Sequence, residues 1–113
     1  MNETDFLQGE TNTRERQKKK EKLIFYSLKV LLPKLEYLAE HSGNGSIIHD
    51  ANVAICIISG NAMMLEKNKD ADEREFSRTR LYQHRAEKFL EEQATRWDSI
   101  SVKDFKEEKY MRN

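Results

Sequence analysis

The sequence predicts an all-α protein: an antiparallel three-helix core with a kinked first helix and a short C-terminal helix, assembled as a homodimer. Composition is the first reason. Charged residues make up 35% of the chain and hydrophobic ones 37%, with one proline and four glycines, the profile of a helical domain with extended charged faces. Spacing is the second. Over residues 46–65, Ile48, Ala51, Ile55, Ile58, Ala62 and Leu65 recur at three and four residues, the seam of a packed helix. Surplus apolar surface is the third, and it is what predicts a dimer. Tyr26, Val53, Met64 and Leu81 cannot all point inward in a monomer and form the expected partner interface.

At 113 residues the chain is long enough for one modest core, expected as a disordered acidic tail over 1–12 and a single helical domain over 13–113. Thr13 is placed to cap the first helix. Ile24, Leu28, Leu31, Leu35 and Leu38 then fall on one face, broadened by Phe25, Leu32 and Ala39. Pro33 interrupts this helix at a cost of about 3 kcal/mol, so a kink, or two short helices meeting there, is expected. Residues 41–46 (HSGNGS) are the clearest break. Gly43 can end the first helix in the left-handed conformation, and Ser46 can cap the second.

The second helix, 46–65, is apolar on most of its circumference and is expected to be enclosed by its neighbours, with Cys56 a buried thiol. A buried strand over 53–58 is the rival reading, because the run is rich in β-branched residues and Ser59-Gly60-Asn61 is turn-like. Such a strand would lack partners, and the three/four spacing continues through Ala62 and Leu65, so helix is preferred. A loop near 68–70 leads to a third helix over 72–97, with Phe76, Tyr82, Ala86, Phe89, Leu90, Ala94 and Trp97 on one arc. Ser101 and Asp104 resemble the start of the terminal helix, held by Val102 and Phe105.

Net charge is zero, so no global attraction to nucleic acid or anionic membrane is expected. The acidic, polar N-terminus is unlike a secretory signal, and the lone Cys56 points to a reducing compartment; a cytoplasmic location is expected. A membrane span over 46–65 is rejected because His49, Asp50, Asn52 and Asn61 would all be dehydrated. Neither metal nor cofactor is expected: the His and carboxylate spacings fit no ligand set, and 42–46 lacks the lysine of a phosphate loop.

The leading functional expectation is therefore a small non-enzymatic protein-binding module, a regulator, adaptor or inhibitor acting through helical surfaces. Nucleic-acid binding is the alternative, through the basic run of Arg14, Arg16, Lys18, Lys19, Lys20 and Lys22. Cations at a helix N-terminus oppose the macrodipole, which argues for a use other than stability. A third reading rests on Arg78-Thr-Arg-Leu-Tyr-Gln-His84, which resembles the Arg-x4–6-His signature of the HEPN ribonucleases. Those are small helical bundles that bring an arginine and a histidine from each subunit to a dimer cleft. The resemblance covers only these residues and carries Thr79 where the signature usually has another polar residue; it implies Arg78 and His84 as a catalytic pair.

Overall fold

The structure, a computed structural model, describes the backbone of residues 3–94 and the side chains of 13–94. Its elements are α1 (Glu3–Phe25), a π-helical segment (Tyr26–Leu31), α2 (Leu32–His41), α3 (Gly45–Lys67) and α4 (Glu73–Ala94). The described residues are thus helical with no strand, and 53–58 lies inside α3, so the rival strand reading is discarded. Three helical bodies pack together: the rod made by α1, the π segment and α2, then α3, then α4. Trp97 and the expected terminal helix lie outside the described residues.

Several boundaries differ from those the sequence predicts. α1 runs Glu3–Phe25, so Thr13 is an internal position instead of a cap. No proline interrupts the upstream residues, and extending a formed helix adds one hydrogen bond per residue fixed. Pro33 sits in the first turn of α2, directly after the π segment, where Leu32 N–H donates to the Ser27 carbonyl five residues back. Proline has no N–H, so the change from i−5 to i−4 bonding falls where one donor is missing in either register. The wider π turn also shifts the buried stripe. Ser27, Val30, Leu31, Lys34, Leu35 and Leu38 are buried, while Leu28 is half-buried and Phe25 is exposed.

The break between α2 and α3 is shorter and differently capped than expected. Ser42 leaves α2 in an extended conformation with its N–H still on the Leu38 carbonyl, and no described glycine adopts positive φ, Gly43 included. Asn44, not Ser46, caps α3: its Oδ1 accepts from Ser46 N–H at 2.9 Å and Ile47 N–H at 3.3 Å. α4 begins with a reciprocal cap. Asp72 Oδ1 accepts from Arg74 N–H at 3.0 Å, and Asp72 N–H donates to Glu75 Oε2 at 2.7 Å.

One cluster of Leu31, Leu35, Leu38, Ala51, Ile58, Ala86 and Leu90 joins all three bodies; a second, of Leu65, Ala71 and Phe76, closes the opposite end over Leu23 and Ile24. On α4 the buried positions are Phe76, Thr79, Gln83, Ala86, Leu90 and Gln93, a strict three/four alternation. Two of its polar members, Gln83 and Thr79, are paired. Gln83 Nε2 donates to the Leu23 carbonyl at 2.8 Å and to Ser27 Oγ at 2.9 Å. Thr79 Oγ1 lies 2.8 Å from Asn61 Oδ1 and 3.0 Å from the Glu75 carbonyl.

Leu35→Ala is expected to cost about 2–5 kcal/mol, because its cavity opens where all three bodies meet. Cys56→Ser is expected to stay within about 0.5 kcal/mol, as suits an exposed side chain. Urea denaturation of both variants checks the pair.

Candidate protein-binding surface

α3 is not enclosed. It buries Ala51, Ile58, Ala62 and Leu65 against the rod and α4, with Ile48 and Ile55 half-buried. Of its most apolar 18-residue stretch only 17% is buried in the fold. Val53 and Ile57 are 44% and 43% exposed and Met64 is 72% exposed, all on the side away from the rod; Met63 and Cys56 flank them. The expected buried thiol is therefore a surface group. The physical reason is geometric, since the rod and α4 pack against the same half of α3.

Beside this stripe α3 and α4 form a groove of about 260 Å³. Ala54, Ile58 and Ala86 make its floor, Val53 and Ile57 one wall, Tyr82 and Phe89 the other. Asp50 and Arg85 stand at its rim. A mostly apolar trough between two helices is of the kind an amphipathic helix occupies.

Of the four residues expected at a partner interface, Val53 and Met64 share this face. Leu81 is 46% exposed but lies on α4 about 160° around from buried Gln83, facing away from the bundle. Tyr26 is half-buried against the core and does not join the stripe. Ile57 and Phe89 complete the surface, although the sequence pattern alone places Phe89 on the core arc of the third helix and does not single out Ile57. The signal for Ile57 was available, because it sits four residues after Val53 and seven before Met64.

The basic run divides between two roles. Lys19 Nζ pairs with Glu73 Oε1 at 2.6 Å, and buried Lys20 donates from Nζ to the Asn68 carbonyl at 2.9 Å. That places the Lys20 cation at the C-terminal end of α3, where the helix dipole favours it. Arg14, Arg16, Lys18 and Lys22 stay exposed, with Glu15 and Glu21 among them. Because α1 starts at Glu3, these cations are not at a helix N-terminus, and the macrodipole argument for a separate use loses its basis. Arg78 and His84 are both exposed on α4, about 120° apart around its axis. Among the described residues no three His, Cys, Asp or Glu side chains converge as a metal site.

Two carboxyls at the start of α4 are held below their ordinary values. For Asp72, desolvation pushes upward, but the N–H donors of Arg74 and Glu75 outweigh it. For Glu73, the hydrogen bonds from Lys19 and Arg80 dominate. A carboxyl depressed in the fold binds its proton more tightly once unfolded. Its contribution is therefore present at neutral pH and is lost as pH falls through the lowered values. Asp72→Ala is expected to lower the urea midpoint at pH 7 and to flatten its decline below about pH 4, read from unfolding curves taken across that range.

No family model matches the chain, and neither a curated protein sequence nor a solved structure is found to be similar to it.

Proposed function

We propose that this chain is a non-enzymatic protein-binding module, a regulator, adaptor or inhibitor that works by occupying a partner's surface through the open side of α3. The observation that carries this reading is the line of Val53, Ile57 and Met64, exposed together beside a trough walled by Tyr82 and Phe89. Isolated exposed apolar residues are ordinary, but a contiguous apolar stripe next to a shaped groove is what interfaces present. The rim charges Asp50 and Arg85 add orientation, since a bound segment meets one charge of each sign. Ile57 is 43% exposed among the described residues, and a bound partner would cover it.

The test is retention of partners from a lysate of the source cell, comparing the wild-type chain with Ile57→Glu. Proteins other than the chain itself, identified by mass spectrometry, are expected to be retained by the wild type. Their affinity is expected to fall by about tenfold or more in the variant, as for a residue at an interface centre. The circular dichroism of the variant is expected to be unchanged because Ile57 is substantially exposed. Identical retention by both proteins, or no specific retention by either, overturns the reading.

A further inference from the structure

Along the open side of α3, Asp50, Val53, Ile57, Gly60, Met64 and Lys67 follow one another at three, four, three, four and three residues. This order of intervals is the same from either end of the helix. The buried faces of α3 and α4 share this order; what sets this seam apart is that Val53, Ile57 and Met64 stand exposed on it, with opposite charges at its two ends, so that another helix of the same sequence can meet it head to tail.

We propose that two copies of this chain pair through α3, antiparallel about a two-fold axis passing between Ile58 and Ser59; the pairing rests on reading this face as a protein-binding surface. In that register Val53 lies opposite Met64 of the second copy, and Ile57 lies opposite Gly60 of the second copy. Asp50 lies opposite Lys67 of the second copy, and symmetry repeats each contact.

The chemistry is complementary at every layer. A β-branched side chain meets a flexible thioether, a large side chain meets a gap, and a carboxylate meets an ammonium. A side chain built at Gly60 would have nothing within 4 Å among the described residues, so no contact described within the fold calls for a glycine there. Glycine in a helix interior costs about 1 kcal/mol against alanine, and pairing supplies the missing reason. The parallel arrangement is disfavoured by the same residues, because it would set Asp50 against Asp50, Lys67 against Lys67 and the two Gly60 gaps against each other. No charged residue interrupts the seam between its two ends.

The test measures the mass of the full chain by sedimentation equilibrium up to about 0.5 mM, since a dimer's population follows concentration. A dimer is expected for the wild type and a folded monomer for Ile57→Asp. Gly60→Leu is expected to keep its helicity, having open space around it, yet to lose dimerisation by filling the gap opposite Ile57. Asp50→Lys is expected to weaken association by about tenfold, because it sets like charges together at both ends of the seam. The exchange Asp50→Lys with Lys67→Asp is expected to restore association.

A strictly monomeric wild type overturns the pairing, as does a dimer indifferent to Gly60→Leu or not restored by the charge exchange. Binding of monomeric chain to phosphatidylcholine vesicles through Ile57 also overturns it, assigning the face to lipid. A monomer that still retains a different protein in an Ile57-dependent way overturns the pairing alone. A dimer in this register that retains no other protein sustains the pairing and removes the partner-binding role.

Discussion

α3 carries apolar residues on more sides than two neighbours can cover, and the rest of the molecule is arranged around that excess. The rod of α1, the π segment and α2 takes one flank, and α4 takes the next. Both contribute to the same cluster, in which Ala51 and Ile58 meet Leu31, Leu35, Leu38, Ala86 and Leu90. The half of α3 that carries Val53, Ile57 and Met64 has no element left to meet it among the described residues. Each side chain of that size contributes about 1.5–3 kcal/mol when fully buried, so the uncovered stripe is unused stabilisation that an incoming chain can recover.

Polar contacts decide where α4 lies. Apolar surfaces alone would let α4 slide along its neighbours, because hydrophobic burial is non-directional. The Gln83 amide ends that freedom by reaching the Leu23 carbonyl and Ser27 Oγ, beside the start of the π segment. Thr79 meets Asn61 one turn away and ties α4 to α3. At the near end, the turn before α4 is held by Lys20 on the Asn68 carbonyl, and its first residue by Lys19 on Glu73. The Lys19 pair is largely exposed and contributes little to stability in isolation. It joins α1 to the first turn of α4.

The helices themselves were legible because apolar spacing is a strong signal. Ala51, Ile58, Ala62 and Leu65 are buried as their intervals predict, and so are Leu31, Leu35 and Leu38. The π segment was not legible, because an i−5 turn has no residue signature apart from the proline that follows it. It brings Ser27 into the core in place of Leu28. The polar members of α4's buried line, Thr79 and Gln83, stand outside an apolar arc, yet Phe76, Thr79, Gln83, Ala86 and Leu90 alternate at three and four. Lys20 reads as one of a run of cations, yet it lies four residues before Ile24, in phase with the stripe. Asn44 in place of Ser46 at the cap reflects two residues of nearly equal capping strength, between which only the exit path of Ser42 decides. As for the surface, apolar composition placed α3 at the centre, but which of its sides is covered depends on the number of neighbours, a quantity no local pattern encodes.

Gly60 shows how a sequence feature changes meaning once the fold is known. Together with Ala51, Ala54 and Ala62, its missing side chain reads as a notch for close approach of another helix within the bundle. Ala51 and Ala62 do serve that purpose, being buried at the contacts of α3 with its neighbours. Gly60 points elsewhere, half-exposed on the open side with no atom near its absent Cβ. An alanine there would meet no obstacle in the single chain and would gain about 1 kcal/mol in helix propensity. Selection for the stability of the single chain alone does not account for glycine at this position. In the proposed pairing Gly60 and Ile57 are related across the axis between Ile58 and Ser59, as are Val53 and Met64, so that a second α3 would set its Ile57 over the gap.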